Sequence, residues 1–545
     1  MATSGKFVKL AGSQKKPYSA GNVVREVNSD ERVEITLILR RPPEKGPLLH
    51  AASAMNVGQQ RIRERSYLTH SQFNERHGSS SEDLAKVEAF AREHELTVVD
   101  VNSGARSIKL SGPLGKLVSL FPVDELHEYE GPTGRFRAHS GPVSIPTELA
   151  GIVTAVFGLD TRPAVRPRTI SAAPKTTTFT VPQLAGLYNF PQHLDGSGQC
   201  IAIVAMNDAS DGTATGGGFR QSDLQAYFGS MGLPVPRVTT VSVDGGANLP
   251  GPAPGYDSEI TLDIEVAGAS AAGARLVVYF APNSDKGFID CVNSALHDSV
   301  NKPSVISISW GAEEESDVQL ARGLDEAFQD SAQLGVTICV ATGDLGSADQ
   351  IPPEMDGKPH VDSPSSSPFA LACGGTKLKL DGNTILKETV WNDGVRNPLG
   401  TGAGGGGISS LFDRPSYQDG LTLPKSSAGT EGRGLPDVAG HAATSAGYQV
   451  VINGKTTAMG GTSAVTPLFA GLIARINEHL AASGKPHAGF INPLIYKAPA
   501  SFRDITEGNN DLTGQLKVYH AGPGWDPCTG LGVPDGVKLL ETLAS

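Results

Sequence analysis

Hydrophobic and polar positions in the first part of the chain follow two short periods. Alternation over residues 33–39 and 97–101 predicts strands, and helical spacing over residues 81–94, with acidic residues in the first turn, predicts a helix. A helix between strands of this length is typical of a small α+β unit. We expect it to occupy residues 1–160.

A different pattern begins near residue 200. Short apolar segments of the kind that form buried strands occur at 201–206, 275–280, 305–310 and 336–341, with helical spacing between them, over 288–298 and 318–334. Strands separated by helices predict βαβ units and a parallel sheet covered on both faces, which is an α/β fold. In such sheets ligands collect at the carboxyl ends of strands, so polar residues at those ends are candidates for chemistry.

Between these two regions the pattern collapses. Proline and arginine without apolar periodicity fill the stretch around residues 161–168, and alanine, proline, lysine and threonine follow it. Such composition is typical of an exposed linker, either a plain connection or a segment that proteases cut. The predicted organisation is therefore a unit at 1–160, a linker at 161–175 and a large domain at 176–545.

Composition excludes several classes of protein. The 545 residues are 39% hydrophobic, enough for a sizeable core, and the formal charge of -12 argues against nucleic acid as a partner. No apolar run is long enough to cross a bilayer, so we expect no membrane association. Five cysteines without a CxxC pair predict neither a disulfide framework nor a zinc site. Residues 1–16 lack the apolar core of a secretory signal.

A serine near the C-terminus is the first candidate for chemistry. Ser463 follows two glycines and precedes a long apolar helical run, which puts its hydroxyl group at a helix N-terminus. A capped helix start would have the same pattern. A nucleophilic serine needs a base. None of the 13 histidines stands in a context typical of a catalytic base.

Two carboxyl groups are better candidates for that base. In a strand, Glu259 and Asp263 would lie about 13 Å apart. In a helix they would be one turn apart, roughly 6 Å between Cβ atoms, and the small residues that follow favour a helix. Neighbouring carboxyls can share a proton and act as a base in acid, where an imidazole is protonated. The alternative is the solvated face of an amphipathic helix.

A third carboxyl group stands at the end of a predicted strand. Asp344 follows the apolar segment 336–341 and lies between glycines. It can be a turn residue. Held neutral in a desolvated site, it can instead donate a hydrogen bond to an oxyanion.

Together these segments resemble the sedolisin family of serine-carboxyl peptidases, especially the kumamolisins. The motifs that carry the resemblance are Glu259-x-x-x-Asp263, Gly343-Asp344-x-Gly346 and Gly461-Thr462-Ser463-Ala464-x-x-Pro467. The resemblance implies that Ser463 is the nucleophile, Glu259 its general base, Asp263 the group that orients Glu259, and Asp344 the oxyanion donor.

The resemblance implies further properties. The fold would be a subtilisin-like parallel-sheet domain with a ferredoxin-like α+β prodomain that assists folding and inhibits the enzyme. The protein would be a monomeric, self-processing zymogen that acts outside the cell in acid on protein and peptide substrates. Asp362 would bind basic substrate side chains. One calcium ion would be held by the side chains of Asp504 and Asp526 and by the carbonyl groups of Ile505, Gly522 and Gly524, an all-oxygen set suited to Ca²⁺.

Two positions depart from the family pattern. Ala205 stands where a further glutamate often backs the catalytic glutamate, although Trp310 matches its partner, and Leu345 replaces a serine after the oxyanion aspartate. Two other functions stay open on the sequence: a histidine-based subtilisin-type protease and an inactive peptide-binding relative. A carboxylate pair should work best in acid, whereas an imidazole base loses activity below a pKa of ~6.5.

Overall fold

A computed structural model describes residues 6–18, 23–42, 46–131, 134–171, 178–350, 355–395 and 402–545. Residues 172–175 of the predicted linker lie outside these ranges. Within the ranges, no helix combines the length and the hydropathy that a membrane span requires.

The N-terminal unit is a twisted antiparallel sheet with helices packed on it. Its elements are β1 Phe7–Lys9, β2 Val23–Glu26, β3 Arg32–Leu39, α1 Pro47–Gln59, α2 His70–His77, α3 Ser81–Glu93, β4 Thr97–Asn102, β5 Ser107–Pro113, α4 Leu114–Leu120, β6 Glu125–Gly131, β7 Gly134–Ser140, β8 Ser144–Pro146 and β9 Val153–Phe157. The central strands lie in the order β4-β5-β3-β9, and the chain visits them as strand, helices, two strands, helix, strand, which is the ferredoxin-like arrangement. A second sheet, β2-β6-β7, combines a strand that precedes β3 with two strands that lie between α4 and β9.

Local sequence explains these elements. The alternation in β3 buries Ile35 and Leu37 completely, in a core that also contains Phe90 of α3. The helix α3 begins where the hydroxyl group of Ser80 accepts the N–H of Asp83 at 3.0 Å. The predicted α+β unit is thus confirmed.

Two short strands of the connecting segment follow, β10 Arg166–Pro167 and β11 Ile170–Ser171, and then the large domain. Its elements are α5 Val181–Leu187, β12 Cys200–Ser210, β13 Thr213–Gly216, α6 Gln221–Ser230, β14 Val238–Ser242, α7 Pro254–Ser270, β15 Arg275–Pro282, α8 Asp285–Leu296, β16 Val305–Ile308, β17 Trp310–Glu313, α9 Val318–Leu334, β18 Thr337–Ala341, β19 Asp362–Ser363, β20 Leu371–Asp381, β21 Thr384–Val390, β22 Asn392–Gly394, β23 Gly402–Ala403, β24 Gly407–Asp413, β25 Gly432–Leu435, β26 Val438–His441, β27 Tyr448–Ile452, β28 Lys455–Gly460, α10 Thr462–Ala482, α11 Asn492–Ile495, β29 Phe502–Arg503, β30 Val533–Pro534 and α12 Gly536–Ala544.

The main sheet of this domain runs in the order β14-β15-β12-β16-β18-β20-β21. Its strands are parallel from β14 to β20, and β21 is antiparallel. Residues of β12, β15 and β16 are buried on both faces because helices cover the sheet, as the apolar runs in the sequence predicted. The α/β expectation is therefore confirmed.

One predicted strand is divided in two. The sequence predicts a single strand over residues 305–310, but β16 ends at Ile308 and β17 begins at Trp310. β16 belongs to the main sheet, whereas β17 pairs with the linker strand β10 on one side and with β19 on the other. Ser309 therefore lies between the main sheet and the segment that pairs with the linker.

Candidate active site

Helix α10 carries Ser463 in its first turn. The residue before the helix, Gly461, has a φ of +117°, and a Cβ atom there would lie 2.3 Å from the carbonyl oxygen of Arg168 and 2.4 Å from Oδ2 of Asp344. Only glycine fits at this position. No side chain caps the helix, so Ser463 is not a capping residue. The hydroxyl group is free for chemistry.

Helix α7 presents Glu259 and Asp263 one turn apart, as the sequence predicted. The helix begins at Pro254, earlier than a cap at Asp257 or Ser258 would allow, because Asp257 instead accepts the N–H groups of Gly218 and Gly251. Both carboxyl groups are fully buried, so they do not form a solvated face.

The buried pair holds its protons unusually tightly. Burial, and then repulsion from Asp263, raise the pKa of Glu259 well above its ordinary value. Burial also raises the pKa of Asp263 well above its ordinary value, against a 2.7 Å hydrogen bond that the hydroxyl group of Ser309 donates to Asp263 Oδ1. The two carboxyls therefore behave as a coupled pair that keeps a proton.

The Ser463 hydroxyl group makes a long contact of 3.4 Å with the carbonyl oxygen of Ser309. Neither carboxylate oxygen of Glu259 accepts a hydrogen bond from the described residues, but the nearby Ser463 hydroxyl group opposes the rise in the pKa of that carboxyl. The structure therefore brings the serine and the carboxyl pair together. In the part of the chain that the structure describes, no histidine forms a hydrogen bond with Ser463. The buried His441 is engaged elsewhere, by Ala446 and Leu378.

Asp344 lies on the other side of Ser463, just after β18. Its Oδ1 accepts both the backbone N–H and the hydroxyl group of Thr462, each at 2.8 Å. Its Oδ2 accepts no hydrogen bond from the described residues. Burial raises the pKa of Asp344 to about 7, against the two hydrogen bonds from Thr462. In acid, Asp344 therefore carries a proton, and its Oδ2 is the oxygen available to hold it. Asp344 Oδ2 and the Arg168 carbonyl oxygen both lie beside Gly461.

The linker lies in the cleft in an extended conformation. The N–H of Arg168 donates to the carbonyl oxygen of Ser309 at 3.1 Å, and the carbonyl oxygen of Arg168 accepts the N–H of Ser463 at 3.0 Å. Residues before Arg168 pair with β17 and residues after Thr169 pair with β28, both antiparallel. The prediction of an exposed linker is therefore wrong at Arg168, which is 1% exposed, because backbone pairing and ion pairs hold it inside the cleft.

The side chain of Arg168 fills a pocket of acidic residues. Its Nη2 forms an ion pair with Oδ2 of Asp362, and its Nη1 lies 3.4 Å from Oδ1 of Asp349. Asp362 is fully buried on β19. The structure thus brings Asp362 against a basic side chain that belongs to the chain itself.

The residues expected to bind calcium converge in a separate place near the C-terminus. Asp504 Oδ2 accepts the N–H of Gly524 at 2.8 Å, and Asp526 Oδ2 accepts the N–H of Gly522 at 3.3 Å. Asp526 is 4% exposed, and burial raises its pKa to about 6. Ile505 adjoins Asp504 in the chain. Both carboxylates therefore contact the 522–526 loop, through its N–H groups, and carboxylate oxygens are the type of ligand that Ca²⁺ prefers.

Sequence reasoning missed two residues that face the linker. Ser309 binds both Asp263 and the backbone of Arg168, and its place at the carboxyl end of a strand was a usable signal. Asp349 lies in the Arg168 pocket, and nothing in its local sequence indicates that role. Of the positions compared with the family pattern above, the departing Ala205 is fully buried in β12, and the indole N–H of the matching Trp310 has no acceptor among the described residues.

Comparisons with known proteins find relatives for both parts of the chain. A family profile described as "Pro-kumamolisin, activation domain" matches residues 19–162, and one described as "Subtilase family" matches residues 255–502. Kumamolisin from Bacillus sp. (strain MN-32) is 46% identical over 98% of this chain and 96% of its own length. Sedolisin from Pseudomonas sp. (strain 101) is 30% identical over 88% of this chain and 82% of its own length.

A solved structure shares the fold of the large domain. Pseudomonas sedolisin, described as a serine-carboxyl proteinase in complex with pseudo-iodotyrostatin, superposes with a TM-score of 0.57 at 27% identity. The match covers 67% of this chain and 98% of that one. The part of the present chain left over corresponds in length to the N-terminal unit and linker.

Proposed function

This chain belongs to the sedolisin family of serine-carboxyl peptidases, and on that premise we propose that Ser463, Glu259, Asp263 and Asp344 together hydrolyse peptide bonds. One observation carries the assignment: a peptide carbonyl group, that of Arg168, accepts the N–H of Ser463 at 3.0 Å in the cleft where these side chains meet.

In the acylation step, Ser463 Oγ attacks the carbonyl carbon of the peptide bond while Glu259 removes the hydroxyl proton. The carbonyl oxygen becomes an oxyanion, which receives hydrogen bonds from the N–H of Ser463 and from the proton on Asp344 Oδ2. Glu259 then gives its proton to the departing amine, the C–N bond breaks, and an ester with Ser463 remains. This role of Asp344 as a donor to the oxyanion is supported by the structure around Gly461. Asp344 Oδ2 and the Arg168 carbonyl oxygen both lie close to the position that a Cβ atom of residue 461 would occupy.

In the deacylation step, a water molecule attacks the ester carbonyl carbon while Glu259 takes one of its protons. The second oxyanion is held by the same two donors, and the bond to Ser463 Oγ breaks as Glu259 returns the proton to that oxygen. A carboxylic acid and the free serine are regenerated. Asp263 orients Glu259 and shares its proton, a role supported by the burial of both groups and their separation of one helical turn.

We propose that the enzyme works in acid. Asp344 must carry a proton to donate to the oxyanion, and its pKa of about 7 keeps it protonated below neutrality. Burial raises the pKa values of Glu259 and Asp263, so the two carboxyls share a proton in acid, and the ionised member of the pair is the base; an imidazole in its place would be protonated.

We propose that the bond between Arg168 and Thr169 is the one that the enzyme cleaves in its own linker. Arg168 supplies the carbonyl group beside Ser463, and the residues on both sides are paired with the cleft as an extended peptide. While the linker is intact, it occupies the substrate's place in the cleft, and the N-terminal unit thereby inhibits the enzyme. Asp362 would bind a basic side chain before the cleaved bond, as it binds Arg168.

We propose that one calcium ion binds Asp504, Asp526 and the carbonyl groups of Ile505, Gly522 and Gly524. When bound, the ion would tie the 504–505 and 522–526 loops together, which stabilises the fold and takes no part in the reaction. We also propose that the enzyme acts outside the cell and that it is a monomer. The resemblance to the family supports both properties.

Purified zymogen brought to pH 4 tests the catalytic assignment. The wild-type protein should convert to a shorter form with Thr169 at its N-terminus, identified by intact mass and N-terminal sequencing. The Ser463→Ala and Glu259→Gln variants should stay full length. Conversion of Ser463→Ala alone in acid would contradict the role of Ser463, and a wild-type product that starts elsewhere would contradict the cleavage point.

A further inference from the structure

The pocket that holds the Arg168 side chain contains two carboxyl groups from different segments. Asp362 belongs to β19, and Asp349 ends the short turn that follows Asp344. The guanidinium group touches both, Nη2 with Asp362 and Nη1 with Asp349, and all three side chains are at most 2% exposed. A resident cation thus bridges two buried anions.

Asp349 combines a strained backbone conformation with a buried carboxylate group that has few partners. Its backbone is left-handed, with φ of 43° and ψ of 19°, a conformation that non-glycine residues seldom adopt. Both of its carboxylate oxygens are buried and accept no hydrogen bond from the described residues. The ion pair with Arg168 is therefore its means of offsetting the cost of burial.

Gly343 keeps the space between the two acids open. A Cβ atom at this position would lie 3.2 Å from Asp349 Oδ1 and 3.2 Å from Asp362 Oδ2. The two oxygens therefore border the same space, and a side chain at residue 343 would crowd both of them. At residue 343 the chain therefore contributes only backbone atoms to this space.

We propose that Asp349 is a second specificity-determining residue, and that with Asp362 it makes this pocket select arginine over lysine before the cleaved bond. The inference rests on the proposed function. A guanidinium group has terminal nitrogens that reach two separate carboxylates at once, whereas an ammonium group is a single point charge that must divide itself between them. Loss of Asp349 should remove the advantage of arginine and leave Asp362 to bind either cation.

The test compares three peptides that differ only in the residue before the cleaved bond: arginine, lysine, or citrulline, which has the shape of arginine without its charge. Processed wild-type enzyme should have its highest kcat/KM on arginine. In Asp349→Asn, which tolerates the left-handed backbone, the arginine-to-lysine ratio should fall about tenfold. The citrulline value should hardly change. Asp356→Asn, which removes an acid that is 44% exposed, is the matched control and should leave the ratio unaltered.

The results on the three peptides distinguish a specificity role of Asp349 from a structural role and from failure of the proposed function. An equal fall on all three peptides would make Asp349 a structural residue and overturn the inference, as would an unchanged arginine-to-lysine ratio. Cleavage of none of the peptides by the wild-type enzyme would instead refute the proposed function. If Asp349→Asn does not mature, Asp349→Glu gives a second test, because it keeps the charge and moves the carboxylate by one methylene. Its arginine-to-lysine ratio should also fall, and an unchanged ratio would overturn the inference.

Discussion

The hydroxyl group of Ser309 donates a 2.7 Å hydrogen bond to Oδ1 of Asp263, while the carbonyl group of the same serine accepts the N–H of Arg168 at 3.1 Å. Ser309 therefore binds Asp263 of the buried carboxyl pair with its side chain and the linker peptide with its backbone. Substitution of the side chain should separate the two roles.

Ser309→Ala should lower kcat and leave KM nearly unchanged. The lost hydrogen bond stabilised ionised Asp263, so the first ionisation of the carboxyl pair should move to higher pH. The acid limb of the pH–rate profile reports this shift. Ser309→Thr, which keeps the hydroxyl group, is the control, and a profile that does not move in Ser309→Ala would contradict the role.

Asp344→Asn should keep activity at a pH where the wild-type enzyme loses it. Wild-type activity should fall as the pH rises through about 7, because Asp344 then loses the proton that it donates to the oxyanion. An amide keeps an N–H donor at any pH, whereas Asp344→Ala has none and should lose roughly 10²–10³ in kcat. The pH dependence of kcat for the three proteins is the measurement, and a fall above neutrality that persists in Asp344→Asn would have another origin.

A buried ionic cluster joins the N-terminal unit to the large domain. Asp330 of α9 receives Arg41 at 2.9 Å, Arg106 at 3.0 Å and His50 at 2.8 Å, and His297 lies 4.0 Å from it. Burial alone would raise the pKa of Asp330, but the two arginines outweigh it and hold the pKa well below the ordinary range. Burial lowers the pKa of His50, and it lowers that of His297 to about 4. Asp330 therefore stays charged in moderate acid while both histidines resist protonation.

Protonation of these histidines should release the N-terminal unit. A histidine with a lowered pKa in the docked state favours docking above ~6.5, and that contribution is lost progressively as the pH falls from there to the docked pKa. The double variant His50→Gln/His297→Gln should therefore process its linker roughly tenfold more slowly at pH 5. Gel densitometry over time measures this, with the exposed His193→Gln as control. Equal rates at pH 5 would exclude these histidines as the trigger.

Calcium removal should destabilise the mature enzyme. At a calcium concentration about 100-fold above the dissociation constant, binding adds about 2.7 kcal/mol, so chelation should lower the Tm of a domain of this size by roughly 3 °C. Asp526→Asn should have a similarly low Tm and no longer respond to the chelator. Calorimetry is the measurement, and Glu541→Gln, an exposed change on α12, is the control. A Tm that does not depend on calcium would contradict the site.

Much of the fold follows from the sequence because burial leaves a local signature. The apolar runs that became β12, β15, β16 and β18 are visible because both faces of a parallel sheet are covered. The position of Glu259 and Asp263 on one helix is equally local, since four residues make about one turn. The sequence did not predict that the strand at 305–310 is divided at Ser309, where the chain leaves one sheet and joins another. The pattern of apolar side chains along a strand does not indicate which strands lie beside that strand.

The sequence by itself determined which residues are the candidates for chemistry: a serine at a helix N-terminus, two carboxyls one turn apart and an aspartate after a strand. Only the tertiary structure decided their surroundings. It buried Glu259, Asp263 and Asp344, and desolvation raised their pKa values. It also drew Arg168 out of solvent into a pocket with Asp349 and Asp362, contacts between residues distant in the chain that only the packed fold creates.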